Sequence, residues 1–336
     1  MDRKTRSKVK KNVLFLAGIL FFILGLTGCS NAQYDGLNLL LEENETEWET
    51  RWEEIPEGQT ADELQEENEA SSEETQESIA DDSTQDKDES LTQEENGATM
   101  TGTQEAIALV SDFMETWDLS SDHFSVAYEN LLTGETFYYN EDVLWDGCST
   151  YKVPLNLLFY DMEANGEITS DTIIPGADGR TLEECHHQSL EFSNNEVSEA
   201  MIDYVGNYTQ MRRDMLQYFT VQEEDVDSSY FNHNYFSARM MMDCFQYIYE
   251  REDQYEDLLG YLKAAQPGEY FKTYLEDDCE IAQKYGLRDE YTHCAGIIYS
   301  DTPFILSVYS SNAGGSNMIG SLAEVFYDYT NSTSEE

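Results

Sequence analysis

The sequence predicts an α/β (α+β) domain in which one mixed sheet is flanked by helices and carries a separate helical subdomain. The first observation is composition. Up to about residue 100 the chain is densely acidic and poor in apolar residues; beyond it the sequence is periodic and rich in Tyr, Phe, Leu and Ile. The second is length, because the stretch from about Thr101 to Thr330 suffices for one domain with a substantial core. The third is the order of patterns. A helix and two strands come first, then a helical middle, then three strands and a helix, which calls for a sheet with helices segregated around it.

Each element has its own signal. Ala106, Ile107, Val110, Phe113, Met114 and Trp117 recur at helical spacing and predict an opening amphipathic helix. Phe124–Tyr128 and Thr136–Tyr139 read as strands, and Leu131-Leu132-Thr133-Gly134-Glu135 between them supplies the turn of a hairpin. A helix follows through Leu158, Phe159 and Met162 and stops at Asn165-Gly166. Helical patterns occupy about 181–265. Ile281–Lys284, Ala295–Ser300 and Phe304–Tyr309 read as strands, and Ile319–Tyr329 as a closing helix. The aromatics between Tyr204 and Phe236 fit core packing better than a groove lining, because aromatics dominate cores.

Two segments precede this domain. Residues 1–28 hold a basic stretch, Arg3 to Lys11, then an apolar run from Val13 to Leu26 and Thr27-Gly28-Cys29. The run is short for a membrane span and ends at small residues before a Cys. It resembles a bacterial lipoprotein signal, with Cys29 as the lipidated first residue of the mature chain. An uncleaved anchor would give the same outward orientation, because basic residues stay inside. The expected location is therefore the extracytoplasmic face of the cell membrane. Residues 29–100 carry runs such as Glu42-Glu43-Asn44-Glu45 and are expected to be a disordered, extended acidic tether. The formal net charge of −51 excludes nucleic acid as a partner, since no basic patch exists to neutralise phosphates.

Chemistry concentrates in Trp145-Asp146-Gly147-Cys148-Ser149-Thr150-Tyr151-Lys152. A turn-forming Asp-Gly leads into a helix, and Ser149 and Lys152, three residues apart, share one helical face. A Ser hydroxyl needs a base to become a nucleophile, and a neutral Lys can serve. The pattern alone is weak: Ser7-Lys8-Val9-Lys10 also fits it, and an ordinary helix cap would look the same. Two more motifs follow in order, Ser193-Asn194-Asn195 ahead of a helical run, and Lys284-Tyr285-Gly286 at the end of a predicted strand. Ser310-Ser311-Asn312 repeats the second pattern out of order.

In these three motifs, and over about 230 residues, the chain resembles the penicillin-recognising serine hydrolases, most closely the class A β-lactamase-like branch, with its S-x-x-K, S-x-N and K-T/S-G order. The resemblance implies a mostly antiparallel sheet and an active site shared between sheet and helical subdomain. Ser149 would be the nucleophile and Lys152 its base. Ser193 would pass a proton to the leaving nitrogen, and Asn195 would orient Lys152 and the substrate amide. Lys284 would be a second cation attracting a substrate carboxylate. The backbone N–H groups of Ser149 and Leu287 would form the oxyanion hole, and Gly286 would let substrate lie close to the strand. No metal or cofactor is implied, and the expected partners are a peptide or small-molecule substrate of the cell envelope and, through Cys29, the membrane, with a monomer expected.

The departures from that pattern are specific. Tyr285 stands where a short hydroxyl normally helps to hold a carboxylate, so its ring either turns away or fills part of the cleft. Asn194 replaces an Asp. Glu223 and Glu224 are the available loop carboxylates between the second and third motifs, without the usual Glu-x-x-Asn context, and Ser193 follows Ser149 by only 44 positions. The readings that follow are an acyl-serine enzyme acting on an amide or a β-lactam, a catalytically degenerate module binding wall peptides or a protein, and a plain scaffold. Retention of both lysines and both motif serines favours the enzyme. Five cysteines remain after Cys29. Cys279 and Cys294 flank a hairpin and could pair. His186 and His187 point to different sides of a helix and are expected at the surface or in caps rather than on a metal.

Overall fold

Alternation along the C-terminal strands sorts the apolar residues into two cores. A computed structural model of the chain describes residues 90–95 and 98–333. The chain divides into Met1–Asp81 and Asp82–Glu336, and every described residue belongs to the second unit. In strand β9 (Phe304–Ser311), Phe304, Leu306 and Val308 face one core while Ile305 and Tyr309 face the other. In β8 (Tyr291–Tyr299), Cys294 and Ile298 join the first of these cores and Ala295 and Ile297 the second. All eight residues of β9 are buried, apolar from Phe304 to Leu306 and with Ser307, Ser310 and Ser311 buried among the rest. Each fully buried Leu, Val or Phe side chain contributes about 1.5–3 kcal/mol, so a one-residue slip of register would cost both cores at once.

The remaining strands are β1 (Leu91–Glu95), β2 (Ala98–Gly102), β3 (Phe124–Asn130), β4 (Thr136–Tyr139) and β7 (Glu280–Arg288), in the spatial order β1-β2-β4-β3-β9-β8-β7. Every pairing in this seven-stranded sheet is antiparallel. The β3–β4 hairpin turns as expected: the Asn130 side chain accepts from the Leu132 and Thr133 amides, and Gly134 takes the left-handed conformation the turn requires. One core lies under helix α1 (Gln104–Trp117), N-capped by Thr103, and the long C-terminal helix α9 (Gly315–Thr333). There Tyr128 stacks on Phe326 with ring centroids 4.6 Å apart and hydrogen-bonds Thr330.

The other core is built with the helical insert between β4 and β7. The insert holds α2 (Lys152–Ala164), α3 (Leu182–Leu190), α4 (Asn195–Val205), α5 (Tyr208–Met215), α6 (Ala238–Tyr249) and α7 (Glu256–Ala264), and ends in the short α8 (Lys272–Leu275), whose Leu275 packs into the α1–α9 core instead. Two short strands, β5 (Trp145–Asp146) and β6 (Tyr235–Phe236), pair and tie the far end of the insert to the start of the Ser149 segment.

Two expectations need correction, and one open pairing is decided. The sheet begins at Leu91, inside the expected tether of residues 29–100. Leu91 pairs with Gly102 and Gln93 with Met100, so a polar edge strand is held by backbone hydrogen bonds that composition does not register. Residues 1–28, Cys29 and the tether up to residue 89 lie outside the described residues. Lys284 sits mid-strand rather than at a strand end, because the ladder continues through Gly286↔His293 to Arg288↔Tyr291. Cys279 and Cys294 do not pair. Cys294 stands opposite Tyr285, six positions from Cys279 along the strand, about 20 Å against the roughly 7 Å a disulfide can span.

Candidate active site

Ser149 opens the helical insert on a 3-10 turn, Cys148–Tyr151, that runs directly into α2. Ser149 lies inside the turn rather than at its N-cap, which is Gly147, and its hydroxyl is 3.3 Å from Lys152 Nζ. Cys148, just before it, has φ +47, a left-handed conformation unusual for a residue with a side chain. The turn is held on several sides. The Asp146 carboxylate accepts from the Cys148 amide at 2.9 Å and is itself paired with Arg288. The Asn234 side chain donates to the Cys148 carbonyl at 2.8 Å, and the Asn234 carbonyl accepts from the Gly147 amide at 2.6 Å. Thr150 Oγ1 lies 2.7 Å from both the Gly147 carbonyl and the Tyr309 hydroxyl. From the sheet, the His293 ring lies 2.7 Å from the Asp146 carbonyl. Strain at a functional turn persists only where the surroundings over-determine it, as these contacts do.

Gly286 belongs to the same arrangement. A Cβ built there would meet the Gly147 carbonyl at 2.9 Å and the Cys148 Cβ at 3.0 Å. The glycine lets β7 press on the nucleophile's turn. The close approach expected from substrate is made by the protein's own backbone.

Lys152 Nζ is the meeting point. It is fully buried and lies 3.3 Å from Ser149 Oγ, 3.1 Å from Ser193 Oγ, 2.7 Å from the Ser193 carbonyl and 2.5 Å from Asn195 Oδ1. Burial first, and the neighbouring Lys284 second, hold its pKa well below that of an ordinary lysine, with Glu199 pulling weakly the other way. A neutral amine has two N–H bonds and one lone pair. The two shortest contacts are to oxygens that can only accept, which uses both N–H bonds and leaves the lone pair for a hydroxyl.

Ser193 links the two lysines, since Lys284 Nζ lies 3.0 Å from its Oγ and also donates to the Tyr285 carbonyl at 3.2 Å. Lys284 is fully buried, and burial lowers its pKa to about 7. Ser193 also carries a positive φ, +54, in a bend that aims its hydroxyl between the amines. Asn194 N-caps α4 by accepting from the Val197 amide at 3.1 Å, so the residue that replaces Asp does a job Asp and Asn do equally well.

The structure thus brings Ser149, Lys152, Ser193, Asn195, Lys284 and Gly286 together. Leu287 follows on the outer edge of β7 with an exposed side chain. Tyr285 settles the alternative left by the sequence. Its ring packs 5.1 Å from Tyr270 against the α1–α9 core and lies 4.2 Å from Lys284 Nζ, turned away from the face that Lys284 and Gly286 share. Glu223 is exposed and paired with Arg213, and Glu224 is exposed. His186 is buried, contrary to expectation. Asn156 Nδ2 donates to the Lys152 carbonyl, which fixes its Oδ1 as acceptor and makes His186 Nδ1, at 2.6 Å, the donor. Ser189 and Ser198 extend this network to the Asn194 carbonyl, bracing α2 against the start of α4. His187 stays at the surface, 2.9 Å from Glu191.

Sequence reasoning missed Asp146, Thr150, Asn234, Arg288 and His293, the residues that hold the turn. Only Asp146, inside the Asp-Gly signal, carried a trace of its role.

Two lysines and two serines thus converge where an edge strand meets the helical insert, the residue set of a serine hydrolase, and comparison with known proteins agrees. Residues 108–330 match the model of the β-lactamase enzyme family, and the chain belongs to that family. Among solved structures it resembles a variant of the class A β-lactamase of the last common ancestor of Gram-negative bacteria, at 16% identity and TM-score 0.56, over 66% of this chain and 98% of that one. It also resembles the TLA-3 extended-spectrum β-lactamase (18% identity, TM-score 0.56, 66% and 98% covered). A third is a β-lactamase from Sphaerobacter thermophilus DSM 20745 (18%, 0.55, 67% and 96%). A search of curated protein sequences returned no match. At such identities these likenesses speak for the fold.

Proposed function

We propose that the chain is an exported serine hydrolase, tethered to the outer face of the cell membrane through Cys29, that forms an acyl-Ser149 intermediate with an amide or β-lactam substrate. The observation that carries this reading is the surrounding of Lys152 Nζ: a buried amine with a depressed pKa and two hydroxyls within 3.3 Å. Ser149 Oγ attacks the carbonyl carbon while its proton moves to Lys152. Ser193 Oγ, between the two amines, passes a proton on to the leaving nitrogen as the C–N bond breaks. Asn195 holds Lys152 in place, and the Ser149 and Leu287 amides receive the oxyanion; losing one such donor typically costs about 3–4 kcal/mol of transition-state stabilisation. No cofactor enters the scheme.

A second reading, a binding module for wall peptides, draws on the loop carboxylates, where Glu223 is committed to Arg213 rather than to the crevice. Labelling separates the two. The full-length chain and its Ser149→Ala variant are incubated with a fluorescent penicillin and with an uncharged activated thioester, and adducts are read by intact mass. An adduct on the parent chain alone supports the enzyme, and its persistence or decay measures deacylation. Absence of any adduct from both donors on folded protein leaves the binding module.

A further inference from the structure

The hydrolase reading leaves the chemistry of the substrate beside the scissile bond unstated, and the cations around the crevice bear on it. An anionic group there needs fixed positive charge and a second donor, since a lone exposed ion pair contributes little. Three basic side chains reach the site. Lys152 is spent on Asn195, the Ser193 carbonyl and the nucleophile. Lys284 already donates to the Tyr285 carbonyl, sits against Ser193 Oγ and is only partly charged near neutral pH. Arg288, two residues beyond Gly286 on the same strand, is paired with the half-buried Asp146 that props the Cys148 amide, so withdrawing it would loosen the nucleophile's turn.

The other basic side chains of the described residues are engaged elsewhere. They lie in ion pairs such as Arg213–Glu223 and Lys263–Glu280, or on buried carbonyls, as Arg212 on Tyr230 and Tyr235. The position that would offer a short hydroxyl beside Lys284 holds Tyr285, whose ring is packed on Tyr270.

Resting on the hydrolase reading, we propose that this site selects an uncharged acyl substrate, an amide or ester, over one carrying a carboxylate beside the scissile bond. A carboxylate would have to be stripped of water against one weakly charged amine.

The test is a matched pair of donors on the full-length chain at pH 8: hippuryl thioglycolate, which carries the carboxylate, and its methyl ester. In both, Ser149 Oγ bonds to the thioester carbon, the C–S bond breaks, and the serine proton ends on the departing sulfur. The methyl ester is expected to acylate Ser149 at least about tenfold faster, since the acid gives up its hydration without recovering a charge-assisted hydrogen bond in return. Tyr285→Thr, by returning a hydroxyl beside Lys284, is expected to move the ratio towards the acid, and so is lowering the pH below 7. The ratio is internal, so partial loss of fold in the variant does not mimic the effect. An acid that reacts as fast as the ester, or a ratio unmoved by both changes, overturns the proposal. Failure of both donors to label Ser149 on folded protein overturns the hydrolase reading itself.

Discussion

At the scale of single residues, the site depends on two amines kept from their usual charge. An ordinary lysine titrates near 10.4, whereas burial brings Lys284 to about 7. Between those values only the unfolded chain holds the proton. Folding therefore becomes less favourable by about 1.4 kcal/mol for each pH unit that the pH falls from 10 to 7, and the penalty is constant below 7. Lys284→Met removes this dependence. Its stability relative to the parent should be greatest at pH 7 and below and should decline steadily as the pH rises towards 10. Urea midpoints of the two proteins between pH 6 and 9 measure this, and a difference independent of pH would show that Lys284 keeps its proton when folded. The same burial acts on the thiols: Cys279 is pushed up to about 12, far from the range where a thiolate forms.

At the scale of elements, the site is assembled because an edge strand and a helical turn touch with nothing between them. Strand β7 passes the turn at Gly286, where a methyl group would sit 2.9 Å from the Gly147 carbonyl and 3.2 Å from Thr150 Cγ2. Neither neighbour can yield easily, since Gly147 is backbone and Thr150 is bonded to Tyr309. Gly286→Ala should cost about 1–3 kcal/mol of stability, as overpacking does elsewhere. It should also slow Ser149 labelling by a larger factor than that loss explains, because the turn itself must move. Thermal melts and labelling rates on one preparation distinguish these; unchanged labelling at unchanged stability would mean that the turn has slack. On the opposite side, the stretch before β6 fixes the turn through Asn234. The segment between the second and third motifs thus carries a brace for the turn.

At the scale of the whole molecule, two cores share one sheet, and no covalent cross-link joins them among the described residues. Cys148, Cys185, Cys244 and Cys294 are buried outside any disulfide, and so is the partly buried Cys279. The melting temperature of the folded protein should therefore be the same with and without reductant. A native disulfide contributes about 2–4 kcal/mol, which for a domain of this size is about 5 °C or more, so a drop of that order on reduction would reveal a bridge.

The sequence by itself determined the kinds of element, the apolar runs of the C-terminal strands and the serines and lysines that meet in the crevice. These are carried by local periodicity and by motifs whose residues lie three or fewer positions apart. Only the tertiary structure decided that Tyr285 turns to the far face, that Gly286 makes room for backbone, that the sheet reaches back to Leu91, and that Asp146, Asn234, Arg288 and His293 hold the turn. The physical reason is separation along the chain. Arg288 and His293 stand more than 140 positions from Asp146. A polar residue that bonds across such a span leaves no periodic or spacing signal, because its role exists only once the sheet and the insert have closed on each other.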